Sequence, residues 1–489
     1  MSYRDDGHAA VDWVFDYLER VGELPVLAQV EPGDVRRSLP ASPPERAEPF
    51  ADVLRDLDER ILPGITHWQH PRYFAYFATT ASEPGILAEL LIAALNQVAF
   101  IWRTSPAATE LETVVLDWMR QMLGLPEEFR GVVYDTASVA VLHALAAARE
   151  ELGYDVRRAG LAGRSEIPRL TVYASDQAHS SIEKAAVTLG VGEENVRRVG
   201  TDGEYRMNVA ALQEAIEDDA RAGRRPLAVV ATVGTTSATS VDPVEEIADV
   251  CAERGVWLHV DAAYGGALAL LEEGRWVMNG VGRADSVVFN PHKWLYVPLD
   301  FSALYVRRPE SLRRVFSLVP EYLRGDAERA DGAAENYMDY GIQLGRRFRA
   351  LKAWFVIRAF GREGLAARIR ESRRLALLFA SWVEADERFE LLAPVRMAVV
   401  CFRARSASGS EQIADADALN ERLLARVNAS GEAYLTHTRL GGRLALRVAV
   451  GNVLTTERHL ARVWELIGRR LRAERDGKAT RDEESSEAL

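Results

Sequence analysis

The sequence predicts an α/β protein with a mainly parallel sheet, a helical N-terminal segment and a smaller C-terminal α+β region. Three observations carry this expectation. From about residue 84, short apolar runs alternate with longer stretches of helical period, the pattern of repeated strand–helix units. At 489 residues the chain exceeds the roughly 250–300 residues at which a single core stops growing, so two or more domains follow. Polar side chains gather just after the apolar runs, where ligands bind beyond the carboxyl ends of parallel strands.

Residues 8–22 place Ala10, Val11, Trp13, Val14, Tyr17, Leu18 and Val21 at helical spacing. Pro25, Pro32, Pro40, Pro43 and Pro44 then interrupt the chain before a second helical pattern from Pro49 to Ile61. These helices are too short for a core of their own, and residues 1–83 form an N-terminal helical segment. Strands are expected at 131–134, 170–174, 228–233, 257–261, 286–289 and 303–306. Helices at 140–151, 182–189, 209–220 and 245–254 fall between them. Residues 319–340 open with Pro320-Glu321-Tyr322-Leu323-Arg324-Gly325, have no strand period and read as a long functional or disordered loop. A long helix is expected over 345–360, at the end of a large domain of residues 84–360. Residues 361–472 read as a small α+β domain and the charged residues 473–489 as a disordered tail.

A hydrophobic content of 48% and a charged content of 27% are ordinary for a soluble globular protein. The net charge of -12 argues against nucleic acid or an anionic membrane as a partner. Cys251 and Cys401 lie far apart within apolar runs and imply no disulfide framework. No apolar stretch approaches the roughly 20 residues of a membrane span. The opening Met1-Ser2-Tyr3-Arg4-Asp5-Asp6 is not a signal peptide, so a cytoplasmic protein is expected. His67 and His70 have no third ligand in sight, and no metal site is expected. The basic run Arg346-Arg347-Arg349 reads as a solvated or interfacial helix face.

The chemistry concentrates in a few strand ends. Asn290-Pro291-His292-Lys293 closes an apolar run and is followed by Trp294. A lysine held in a cleft at a strand end is partly desolvated, which favours its neutral, nucleophilic amine and suits an aldehyde cofactor. Some thirty residues earlier, Val256 to Gly266 carries a strand ending in Asp261, then Ala262, Ala263, Tyr264 and two glycines. Pyridoxal phosphate needs a carboxylate against its pyridine nitrogen and small residues beneath its ring. Asp261 and Ala263 supply these. His179, after the 170–174 strand, is placed to stack on such a ring. Thr236, within Gly234-Thr235-Thr236-Ser237, offers a hydroxyl to an anionic oxygen. Backbone amides of Ala137 and Ser138, with the Ser138 hydroxyl, stand between a strand and a helix, where a phosphate is favoured.

Together these pieces resemble the group II pyridoxal-phosphate decarboxylases, most closely the aromatic L-amino-acid decarboxylases, from about residue 8 to 472. The markers are Thr66-His67-Trp68, Tyr73-Phe74-Ala75-Tyr76-Phe77, Ser105-Pro106-Ala107, Thr109-Glu110-Leu111-Glu112, Asp176 to Ser181, His259 to Tyr264, Asn290 to Trp294, and Leu344-Gly345-Arg346-Arg347-Phe348-Arg349. The resemblance implies fold type I, the aspartate-aminotransferase-like architecture with a seven-stranded sheet. It also implies a homodimer with active sites at the subunit interface, the N-terminal segment wrapping the second subunit.

The resemblance further implies pyridoxal 5'-phosphate bound covalently to Lys293, with Asn290 and His292 beside it. Tyr322 matches the tyrosine that protonates the carbanion carbon in family decarboxylases. Relatives that oxidise the substrate to an aldehyde tend to carry phenylalanine there or lose the histidine matching His179. Trp68, Tyr76, Phe77, Thr79, Val98, Phe100, His179 and Gly345 would surround an aromatic amino acid, with Val98 and Phe100 contributed by the partner subunit. Two positions depart from the common pattern at the phosphate: Asp135 stands where glycine is frequent, and Val139 where glutamate occurs. The implied activity is decarboxylation of an aromatic L-amino acid, with an aldehyde synthase or a non-aromatic decarboxylase as the alternative.

Overall fold

The computed structural model describes residues 2–318, 335–406 and 413–476. The chain forms two compact units: Thr79–Glu371 with Ala393–Met397, and Met1–Ala78 with Ser372–Leu392 and Ala398–Leu489.

The larger unit is built on a seven-stranded sheet. Its strands are β1 (Arg130–Tyr134), β2 (Leu170–Ser175), β3 (Val196–Val199), β4 (Arg225–Thr232), β5 (Trp257–Asp261), β6 (Ser286–Phe289) and β7 (Ser302–Val306), in the order β1-β7-β6-β5-β4-β2-β3. Pairs from β6 through β3 are parallel, and β7 runs antiparallel to both of its neighbours. Every residue of β2, β5, β6 and β7 is buried, as a sheet covered on both faces requires. The six expected strands are present, with β4 starting three residues earlier than 228. The seventh, β3, reads Val-Arg-Arg-Val: an edge strand of four residues, partly solvated, gives no apolar signal.

The smaller unit holds a four-stranded antiparallel sheet of β8 (Phe389–Leu391), β9 (Val399–Ala404), β10 (Thr436–Leu440) and β11 (Arg443–Ala449), in the order β10-β11-β9-β8. The N-terminal residues belong to this unit. Val26, Tyr73 and Ala75 bury themselves against Tyr434, Phe74 N donates to Tyr434 O at 2.9 Å, and Ala449 N donates to Phe74 O at 3.0 Å. Non-local packing thus joins segments that lie far apart in the chain. The Tyr3–Arg20 helix buries no side chain.

Residues 345–349 are not helical. The helix begins at Ala350 and runs to Ala385, broken at Gly361 (φ 62°, ψ 172°), a left-handed position natural only to glycine. Before it, Arg347 bridges antiparallel to Val98, which holds the strip extended. The basic run also departs from expectation, since Arg346 is only 6% exposed. Its guanidinium meets Glu112 Oε1 at 2.5 Å and donates to Ala99 O at 2.9 Å and Val133 O at 3.0 Å, with the Tyr337 ring 4.7 Å away. Glu112 also accepts from Val133 N at 3.0 Å. A pattern of charges cannot reveal that one of three arginines has a buried carboxylate waiting for it. At the other end, Ala473 to Arg475 form the last turn of the Glu457–Arg475 helix, while 477–489 lie outside the described residues.

Removing one member of the buried pair strands the other charge. Arg346→Met or Glu112→Met should each cost roughly 3–5 kcal/mol of stability, and the double substitution less than either alone. Unfolding midpoints of the three variants check this, and equal, small losses from both single changes would show the pair to be unimportant.

Candidate active site

Asp261 is the last residue of β5, paired with Thr232 of β4 on one side and Val288 of β6 on the other. Both neighbours are buried, so its carboxylate emerges only at the strand end. There Oδ1 accepts from Ala263 N at 3.0 Å. His259, two residues earlier on the same face of β5, is buried with Nδ1 2.8 Å from Ser286 Oγ. Burial holds its pKa down to about 4, so it stays neutral beneath Asp261.

β6 ends one residue before Asn290, which caps the short Pro291–Trp294 helix bearing Lys293. Two contacts register this turn against the β5 end. Asn290 N donates to Ala263 O at 3.2 Å, and the rings of Tyr264 and Trp294 stack at 4.7 Å and 2°. The Asn290 amide lies 3.2 Å from His292 Nε2 and 2.7 Å from Ser302 Oγ, and His292 Nδ1 accepts from Phe301 N at 2.9 Å. Burial, reinforced by the Lys293 charge, pushes His292 down to about 3. Both of its nitrogens are occupied by protein, so His292 acts as a brace for Asn290.

His179 follows β2 and is exposed. Its Nδ1 accepts from Ser181 N at 3.1 Å, which places the proton of the neutral ring on Nε2. Partial desolvation lowers its pKa, Asp261 opposes that shift, and Lys293 adds to it. Groups from the ends of β2, β5 and β6 thus share one electrostatic neighbourhood. Thr236 is exposed in the turn after β4, a turn closed by Gly234 N to Ser240 O at 2.9 Å and Ser240 N to Thr235 Oγ1 at 3.0 Å. Beyond β1, Thr136 caps the Ala137–Glu151 helix, which starts three residues before the expected 140. Its first internal bond runs from Ala140 N to Thr136 O, 3.1 Å, leaving the amides of Ala137, Ser138 and Val139 without an intrahelical acceptor.

The pyridoxal-dependent decarboxylase conserved domain matches residues 32–405. The chain belongs to the pyridoxal-dependent decarboxylase family. It is 40% identical to a phenylacetaldehyde synthase of a Rosa hybrid cultivar, covering 95% of this chain and 93% of that protein. It is 42% identical to an aromatic-L-amino-acid decarboxylase of Rattus norvegicus, covering 95% and 96%. A crystal structure of Oryza sativa TDC with PLP and tryptamine superposes with a TM-score of 0.92 at 42% identity, covering 96% of this chain and 97% of that one. The fold is accordingly type I and the cofactor pyridoxal 5'-phosphate. The residues fit that group: a buried carboxylate at one strand end, a lysine at the next, and first-turn amides at a helix N-terminus.

The residues expected around an aromatic substrate are divided between the two units of the chain. In the larger unit, Val98 bridges to Arg347, two residues from Gly345, while Phe100 packs on Ile101 and Met338. Gly345 is exposed, and a Cβ there would meet nothing within 4 Å. Thr79 is half-buried. In the smaller unit, Trp68 and Tyr76 stack at 5.8 Å, and Arg447 covers the Phe77 ring at 4.8 Å. Tyr76 (φ 49°) has its hydroxyl 3.4 Å from that of Tyr434. Tyr434 and Arg447 gave no signal in the sequence, being some 360 residues from their partners. His67 and His70 are spent on the protein itself, on the Tyr17 hydroxyl and on Arg72 N and Gly22 O. No helix among the described residues is long and apolar enough to cross a membrane. Tyr322 lies outside the described residues.

Acid should weaken the larger unit. His143 and His259 are pushed to about 4 and His292 to about 3 by burial, well below the ordinary value near 6.5. Their contribution is intact above pH 6.5 and lost as the pH falls, because the unfolded chain binds protons that the folded one refuses. Asp242, raised to about 7, and Asp285, also raised by burial, act in the opposite sense, two groups against four once His179, lowered by desolvation, is added. The urea unfolding midpoint should therefore be lower at pH 5 than at pH 7, and a higher midpoint at pH 5 would contradict the assignment.

Proposed function

We propose that this enzyme decarboxylates an aromatic L-amino acid (Trp, Tyr, Dopa or Phe) to the arylalkylamine and carbon dioxide. The observation that carries the reading is the shared electrostatic neighbourhood of His179, Asp261 and Lys293, groups from three strand ends. Bound pyridoxal phosphate supplies a conjugated ring that accepts the electron pair left by the departing carboxylate. Lys293 Nζ is the point of covalent attachment, and the Asp261 carboxylate keeps a proton on the ring nitrogen. Ala263 leaves room beneath the ring. The amides of Ala137 and Ser138, the Ser138 and Thr236 hydroxyls and Asn290, braced by His292, hold the phosphate. His179 offers its ring and the Nε2 proton from above, and the Tyr322 hydroxyl returns a proton to the substrate carbon.

Aromatic substrates are supported by the names of the relatives at 40–42% identity and by the aromatic residues Trp68, Tyr76, Phe77 and Phe100. Thr79, Val98 and Gly345 are the further residues assigned to substrate binding. The presence of both His179 and Tyr322 favours amine over aldehyde, while the rose synthase keeps oxidative decarboxylation as the second reading. A homodimer is supported by an uncovered apolar face: Leu87, Leu90, Leu91, Leu95 and Val98 are 40–55% exposed. The amphipathic Tyr3–Arg20 helix, with no buried side chain, is available to wrap a partner, and Val98 and Phe100 would serve the partner's site. Cys251 and Cys401 are buried and not joined in a disulfide, in keeping with a cytoplasmic location.

Incubation with pyridoxal phosphate and each of the four amino acids should yield amine and carbon dioxide in equal amounts. Aldehyde with ammonia and peroxide would instead establish the oxidative reading. Lys293→Ala should lack the visible absorption of bound cofactor, and an unchanged spectrum would remove Lys293 from its role. Tyr322→Phe should divert product from amine to aldehyde, and unaltered amine formation would leave the tyrosine without that function.

A further inference from the structure

A carboxylate stands beside the proposed phosphate cradle. Asp135 lies between Tyr134, which ends β1, and Thr136, which caps the Ala137–Glu151 helix. A negative side chain suits a helix N-terminus by itself, but it repels a phosphate held by the same amides. The carboxylate is bonded to two neighbours. Oδ1 accepts from Thr136 N at 2.7 Å and lies 3.4 Å from Thr136 Oγ1, and Oδ2 accepts from Gln343 Nε2 at 3.2 Å.

The segment that presents Gln343 is itself fastened to this junction. The Tyr134 hydroxyl donates to Tyr340 O, and Ile342 N donates to His143 Nε2 at 3.2 Å. The rings of Tyr134 and His143 stack at 4.4 Å. Gly341 allows the approach, since a Cβ there would meet Tyr134 at 3.0 Å and His143 at 3.4 Å. The Thr136 bonds are local and exist wherever the helix exists. The Gln343 bond comes from more than two hundred residues away and, among the described residues, alone ties the second carboxylate oxygen.

We propose that Gln343 is a positioning residue for cofactor binding: it holds the Asp135 carboxylate off the amides of Ala137 and Ser138, so that the phosphate meets those amides without a like charge beside it. The inference rests on the phosphate cradle proposed above. Asp135 and Gln343 act as a matched pair: loss of the glutamine alone leaves Oδ1 on Thr136 and releases Oδ2 to turn towards the phosphate.

The test is titration of the apoenzyme with pyridoxal phosphate and, separately, with pyridoxal, which lacks the phosphate. Gln343→Met keeps the side-chain length and removes the donor. It should raise the Kd for pyridoxal phosphate roughly tenfold, the order expected of two like charges facing each other across partly solvated protein, and leave that for pyridoxal unchanged. Adding Asp135→Asn should restore binding, and Asp135→Asn alone should bind pyridoxal phosphate at least as tightly as the parent. Equal loss of both ligands, or no rescue by Asp135→Asn, would overturn the role of Gln343. Ser138→Asp separates the two layers, because it sets a carboxylate in the cradle itself. If it leaves the preference for pyridoxal phosphate over pyridoxal intact, the cradle is wrong and the proposal falls with it. If it abolishes that preference while Gln343→Met does not, the cradle stands and only the role of Gln343 is lost.

Discussion

Burial of the sheet on both faces governs where this enzyme can do chemistry. Strands β2, β5, β6 and β7 have no exposed residue, so an ionisable side chain within them is stripped of water and must be neutral or paired, as His259 is with Ser286. Polar function is pushed to the strand ends, and because β2, β4, β5 and β6 run parallel, their carboxyl ends open on one side. Asp261, Lys293, Thr236 and His179 come from four different strand ends for this reason. Their order along the chain is set by the crossover helices and their convergence by strand direction.

The ends of β5 and β6 are held in register by contacts that carry no charge. Asn290 N bonds Ala263 O, and the Tyr264 and Trp294 rings lie face to face. These fix Lys293 relative to Asp261 without spending either group's hydrogen-bonding capacity. The histidines below and beside them are kept neutral by burial, which prevents added positive charge around Lys293. The β1 edge of the sheet is organised differently. There the buried Arg346–Glu112 pair joins the residue 99 strip, the Pro106–Leu123 helix and β1, and the 340–343 segment is fastened to Tyr134, Asp135 and His143. The cradle helix begins where these contacts end.

Much of this was legible beforehand. Six strands show as apolar runs because both of their faces are buried, and the strand-end positions of Lys293, Asp261 and His179 follow from where those runs stop. Features resting on exposure or distant pairing were not legible. The edge strand β3 carries two arginines and looks like loop. The extended strip 345–349 looks helical until its bridge to Val98 is seen, and Arg346 looks solvated until Glu112 is found beside it. His292, grouped with the cofactor residues, shows its bracing place only through Phe301 and Asn290.

The sequence by itself determined the class of fold, because that depends on local period, and the cofactor, because the motifs at its strand ends carry the family resemblance. Only the tertiary structure decided which polar groups are already spent and which remain available. Asp135 illustrates the difference. In the sequence it is a lone charge before a helix, whereas in the folded chain its carboxylate accepts hydrogen bonds from Thr136 and Gln343. A hydrogen bond between residues two hundred positions apart leaves no periodic trace, and its existence is settled by how the elements pack.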